Sequence, residues 1–226
     1  MRKPKTMKYT KPIITKEDAD KTTALRRVVI KVDESPLNPR TDWDNVFTIW
    51  SACSRLSSDK DAENPVVDLG KCPDEAKFKD GICAFPFYAY IHSGMALSMT
   101  PFSCPWDSGC AGFIYVSKEK FCKEYGLKRF SRKRAFKVAS SEIETLNQYV
   151  NGEVYGYEVE TRESQDAEWR CEDSCWGFFG DESIPDMVAE AGGDEEGTIV
   201  CKADEVCYVG DDKVEMVIAV RKGKTL

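Results

Sequence analysis

Three residue types that can cooperate in nucleophilic catalysis fall within one short stretch of the chain: His92, the only histidine, with Cys104 and Asp107. A cysteine hydrolase needs a thiolate, an imidazole within hydrogen-bond reach and an acid or amide that orients the imidazole. The segment YAYIHSGMALSMTPFSCPWDSGCAGFIYV, residues 88–116, supplies one of each and adds Cys110 as a second thiol. No local signature of a known cysteine hydrolase accompanies them, and a lone histidine on an aromatic strand serves equally well as a hydrogen-bonded core residue. The other cysteines offer a metal alternative. Cys171 and Cys175 have the spacing of a zinc knuckle, and Cys201 with Cys207 would have to complete the tetrahedron across a wider interval. Packed, reduced thiols are the competing reading, because free cysteine is among the most buried residue types.

Other chemistry is excluded or weak. There is no Walker A sequence, no G-x-G-x-x-G between a strand and a helix, no H-E-x-x-H and no EF-hand loop. Asp42-Trp43-Asp44-Asn45 reads as turn and cap chemistry rather than a cation site, and no cofactor is called for. Lys128, Arg129, Arg132, Lys133, Arg134 and Lys137 are interleaved with Phe130 and Phe136, a mixture that can meet a nucleic-acid backbone.

The elements that must position these groups follow from pattern and punctuation. Residues 88–116 read as two buried strands around a polar loop marked by Pro101, Pro105, Asp107, Ser108 and Gly109. Val28, Val29, Ile30 and Val32 predict a strand, and residues 46–56 have mixed spacing that favours a helix capped by Asp44 or Asn45. Residues 57–82 read as loop with short elements. Helices are expected at 117–126 and, most clearly, at 132–151, where Asn151-Gly152 is the stop. Residues 153–163 alternate as a half-buried strand. A short helix is expected at 184–191, with strands at 197–200 and 214–220. The sequence predicts an α+β fold with a mostly antiparallel sheet and a few packed helices: a flexible basic arm at 1–22 and a single domain at 23–226.

Charge is segregated along the chain. The net charge is −7, but residues 1–31 carry ten basic against three acidic groups, a net of +7, while residues 158–226 carry seven against nineteen, a net of −12. An acidic terminal third can meet a basic surface or imitate nucleic acid. Asp181, Glu182, Asp186, Glu190, Asp194, Glu195 and Glu196 are the candidate contact residues. No run of about 18 apolar residues predicts a membrane span, and no apolar stretch follows the basic start. A soluble protein of the cytoplasm with reduced thiols is therefore expected.

The strings Asp42-Trp43-Asp44-Asn45, Ile91-His92-Ser93-Gly94, the run 101–109 (PFSCPWDSG), Gly112-Phe113-Ile114-Tyr115-Val116 and Gly152-Glu153-Val154-Tyr155-Gly156-Tyr157 resemble uncharacterised accessory proteins of bacteriophages and other mobile elements. The resemblance spans roughly residues 28–180 and implies no catalytic residues. It implies a setting, the cytoplasm of a bacterial host. There an acidic chain of this kind is expected to bind and inhibit a host antiviral defence protein, such as a nuclease or other nucleic-acid-handling enzyme. A cysteine-dependent hydrolase and a nucleic-acid-binding protein stand as the alternatives.

Overall fold

A computed structural model of the chain describes residues 11–203. The fold is α+β with mostly antiparallel sheets, and it divides into two compact units, one of residues up to 37 together with those from 152 onward, the other of residues 38–151. The first unit opens with β1 (Ile13–Thr15), α1 (Lys16–Asp20) and β2 (Arg26–Val32). The second contains β3 (Thr48–Ser51), β4 (Val66–Asp68), β5 (Lys77–Phe78), β6 (Ile82–Ile91), β7 (Met95–Ser98), β8 (Ser108–Ser117), α2 (Lys118–Glu124) and α3 (Arg132–Val150). The chain then returns to the first unit for β9 (Val154–Thr161), β10 (Arg170–Phe179), α4 (Ile184–Glu190) and β11 (Thr198–Lys202).

In the first unit the sheet order is β1-β11-β2-β9-β10, parallel on the β1, β11, β2 side and antiparallel beyond. The continuous run Val28-Val29-Ile30 is fully buried because β2 is central and covered on both faces. On one face Val28 and Ile30 join Tyr155, Tyr157 and Val159 of β9 beneath Met187 and Val188 of α4. On the other, Val29 and Cys201 pack under Ala19 of α1, whose helix begins where the Thr15 hydroxyl accepts from the Asp18 N–H at 3.0 Å.

Several expectations are corrected by this pairing. The predicted arm at 1–22 already contains β1 and α1, because Ile13 and Ile14 find a parallel partner in β11. The single domain predicted for 23–226 gives way to two units, since β9 pairs with β2 and not with the central strands. The stretch around Cys171 and Cys175, which lacks regular alternation, is the ten-residue strand β10; register shifts at Cys171/Asp173 and Trp176/Phe178 explain the broken pattern. The strand expected at 214–220 lies outside the described residues.

In the second unit the antiparallel order β3-β8-β6-β7 carries α3 across one face, where Ala135, Ala139, Ile143 and Leu146 meet Phe85 and Ile114. The spacing of those four residues is the helical period that predicts α3. The helix expected over 46–56 is instead the strand β3. Ile49 and Phe47 turn into the core, while Trp50 stacks on Phe113 at 6.5 Å on the opposite face. A buried charge cluster holds this strand. The Arg40 guanidinium donates to Asp59 through Nε at 3.0 Å and through Nη2, to Glu142 at 2.8 Å and to the Phe47 carbonyl at 2.9 Å. Arg40, Asp59 and Glu142 side chains are only 9%, 14% and 13% exposed. Burial opposes the charge on Arg40, but Asp59 and then Glu142 more than offset it, and the guanidinium is held above its usual range.

Arg40→Ala is expected to lower stability by about 3–5 kcal/mol, because it leaves two carboxylates buried without their cation. Arg40→Lys should recover only part of that, since one ammonium cannot reproduce the fork. Urea unfolding measures both; a loss under about 1 kcal/mol would class the cluster with ordinary surface bridges.

Candidate functional site

The three candidate catalytic residues do meet. Asp107 precedes β8, and its carbonyl accepts the Ile91 N–H at 2.7 Å, which pins the 99–107 loop beside the turn after β6. His92 in that turn places Nδ1 3.4 Å from Asp107 Oδ2, and the Cys104 thiol faces the same Oδ2 at 3.9 Å. The Ser108 hydroxyl donates to the Cys104 carbonyl and closes the loop. Tyr90 lies between His92, at 6.4 Å, and Phe102, at 5.9 Å, while Trp106 stands 91% exposed at the tip.

The order of these groups bears on their chemistry. Thiolate catalysis needs the imidazole next to sulfur and the acid behind the imidazole. Here the carboxylate is the shared neighbour of both, so the imidazole does not stand between the acid and the sulfur. The His92 side chain is 68% exposed, so the cluster is not sheltered from water. Two clefts found among the described residues lie elsewhere: one of about 260 Å³ beside Trp43, Tyr125 and Glu142, the other of about 540 Å³ between residues 22–26 and 196–199.

The zinc alternative loses its geometry. Cys175 packs with the apolar cluster under α4, whereas Cys171 faces Glu158 and Glu160 on the opposite face of the sheet. Cys201 sits on β11, separated from β10 by β2 and β9, a distance of about 14 Å at ordinary strand spacing. Cys207 lies outside the described residues. Among the described residues no group of three or more His, Cys, Asp or Glu side chains is arranged to hold a metal ion.

The acidic candidates divide into anchored and outward groups. Asp181 accepts the Tyr155 hydroxyl at 2.5 Å, and Glu195 lies 3.4 Å from Arg26; Glu182 is exposed and also engaged within the protein. Asp186 and Glu190, one turn apart on α4, are exposed on the side away from Ile184, Met187 and Val188. Asp194 and Glu196 are exposed on the loop that follows. That loop is fixed by two cations that the sequence reading did not single out. The Arg26 guanidinium caps the end of α4 through the Ala191 and Gly192 carbonyls, both at 2.9 Å, and Lys11 donates to the carbonyls of Gly193, Asp194 and Glu195. No local signal marks either residue, because their partners lie more than 160 positions away.

Within the first unit, then, an α+β scaffold presents a braced acidic surface. No family model, no curated protein and no solved structure matches the chain.

Burial, and then the Asp181 carboxylate that takes its hydrogen bond, push the Tyr155 phenol far above its ordinary value near 10. Its contribution to stability is therefore full below about pH 10, the unfolded value, and declines as pH rises further. Tyr155→Phe should cost about 1–2 kcal/mol at pH 7, and the gap between the two proteins should narrow between pH 10 and 12 in urea unfolding. A constant gap would contradict the assignment. Burial also raises the Cys83 thiol and pushes Cys201 up to about 11. At pH 8 a thiol-reactive disulfide reagent should label exposed Cys72 in the folded protein and reach Cys83 and Cys201 only on unfolding, as read by mass spectrometry of the peptides.

Proposed function

We propose that the chain is a binding protein that inhibits its partner through the acidic surface of the first unit. The partner is a host antiviral defence protein with a basic, nucleic-acid-handling face, in the host cytoplasm. The observation that carries this reading is the arrangement of Asp186, Glu190, Asp194 and Glu196: exposed carboxylates on α4 and on a loop whose backbone is already fastened by Lys11 and Arg26. A surface ordered before encounter loses less freedom on binding. Carboxylates of one sign steer a basic partner and make association sensitive to salt. The resemblance to accessory proteins of phages supports the choice of a defence enzyme as that partner. No cofactor is needed for this mode of action.

The enzymatic alternative rests on His92, Cys104 and Asp107, and the same experiment separates it. The full chain, tagged, is captured from bacteria expressing candidate defence systems, and retained proteins are identified at low and high salt. A defence protein should be retained at low salt and released as salt rises. Reversing Asp186, Glu190, Asp194 and Glu196 to lysine should weaken its affinity at least about tenfold, mainly through the association rate. Cys104→Ala and His92→Ala should leave both capture and inhibition unchanged. Inhibition that survives the fourfold reversal but disappears with Cys104→Ala would overturn the reading in favour of the enzyme.

A further inference from the structure

The second unit carries a surface of the opposite sign. From Lys118 to Lys137, through α2, the connecting loop and the first turns of α3, the chain has nine basic and two acidic residues. Lys128, Arg129, Arg132, Lys133, Arg134 and Lys137 are all exposed. Among the described residues Lys123, Lys128, Arg129, Lys133 and Lys137 form no ion pair. Among the described residues, then, no ion pair relieves their mutual repulsion. Lys133 and Lys137 are one turn apart on α3, a like-charged pair that opposes the helix, and the first turn of α3 contains three cations and no acid, against its dipole.

Two of these cations are held in place by aromatic rings and not by carboxylates. Arg132 lies over Phe85 at 4.5 Å, and Arg134 over Tyr125 at 4.9 Å, so the guanidinium charge is positioned without being neutralised. Two residues after Arg134 on the helix, Phe136 is 41% exposed and makes a T-shaped contact with Phe85, ring centroids 5.2 Å apart. The other rings of the segment face inward: Phe121 is fully buried and Phe130 packs against it.

We propose that the face formed by residues 118–137 binds the phosphate backbone of single-stranded nucleic acid, with Phe136 as a stacking platform for a base. Fixed, uncompensated cations around one exposed ring are the elements of sequence-independent single-strand binding. An anionic membrane is the poorer occupant, because Phe136 is the only large apolar side chain this segment exposes and nothing accompanies it into a bilayer. The proposal does not depend on the acidic surface of the first unit and fails or stands separately from it.

The test is fluorescence anisotropy of a labelled 20-nucleotide DNA strand titrated with the full chain. Binding is expected at 50 mM salt and should weaken about 50-fold by 200 mM if about four phosphates are contacted. The charge reversals Arg129→Glu, Lys133→Glu and Lys137→Glu together should reduce affinity at least about tenfold and flatten the salt dependence, and Phe136→Ala should weaken single strands more than duplex. Circular dichroism and urea unfolding check that the variants fold. The milder pair Lys133→Gln and Lys137→Gln repeats the test if the reversals do not. Lys3→Glu, Lys5→Glu and Lys8→Glu, at the basic start of the chain, should change binding little. The proposal is overturned by absence of binding at 50 mM salt or by wild-type affinity in the charge-altered variants. It is equally overturned by loss of binding only when Lys3, Lys5 and Lys8 are reversed, or by preferential binding to polyglutamate or to phosphatidylserine vesicles.

Discussion

The Arg40 cluster is the constraint on which the second unit depends, because it satisfies backbone that the sheet leaves open. β3 is an edge strand with β8 on one side. On the other side the Ile49 N–H donates to the Asp59 carboxylate at 2.8 Å, and the Ile49 carbonyl accepts the Asp59 N–H at 3.0 Å. The Ser58 hydroxyl accepts the Ser51 N–H at 2.8 Å. Two residues earlier, the Phe47 N–H donates to Glu142 and its carbonyl accepts Arg40. The loop at 58–59 and the side chain of α3 therefore do the work of a neighbouring strand, and they close an edge that would otherwise be open to other chains. Arg40 joins the two carboxylates that make this possible. Without it their charges would repel one another in a poorly solvated site.

In the first unit a polar layer does what a second apolar layer usually does. The Arg27 guanidinium, almost fully buried, bonds Glu160 at 2.5 Å and Asp20 at 2.6 Å and lies 4.2 Å from the Trp169 ring. Arg162 lies 4.3 Å from the same ring and donates to the carbonyls of Thr22, Ala24 and Gln165. Lys31 and Glu158 make a diagonal ion pair across the same two strands. These contacts fasten the segment before β2 and the loop after β9, so that this end of the sheet face beyond α1 is fixed by charge and not by hydrophobic cover. Gly156 belongs to the same face. The Trp176 ring lies so close that a Cβ there would come within 2.3 Å of it, which is why a bare backbone is required at that point of β9.

What the sequence revealed was what local periodicity encodes. The spacing of Ala135, Ala139, Ile143 and Leu146 is sufficient for α3, and the β-branched run at 28–30 is sufficient for a strand buried on both faces. The segment 46–56 was misread because Phe47, Ile49 and Trp50 fit either period, and the decision was made by Asp59 and Glu142, whose approach no local window contains. The same holds for β1, whose partner β11 lies about 185 positions away, and for the two-unit division, which depends on β9 choosing β2. In the candidate site the pairing of β6 with β8, which brings His92 towards Cys104 and Asp107, was readable from the two strands expected in residues 88–116, but β7 between them was not. The order of the three residues, with the carboxylate in the middle, was not, because it depends on the Ile91 to Asp107 hydrogen bond and on the rotamers that follow. The separation of Cys171 from Cys175 depends on a bulge, which spacing in sequence cannot display.

The two charged surfaces differ in a way that a net charge of −7 conceals. In the first unit, cations remote in sequence come to the acidic loop: Lys11 takes its carbonyls and Arg26 takes the helix end and Glu195. This relieves part of the repulsion among the carboxylates and fixes the backbone that carries them. In the second unit no carboxylate among the described residues forms an ion pair with Arg132 or Arg134; aromatic rings hold both. A charge braced by its opposite retains less field at a distance than one braced by a ring, because the counter-charge cancels part of it. Among the described residues the segment at 118–137 is thus the less neutralised of the two surfaces despite the acidic total, whereas the acidic surface has the better-braced backbone.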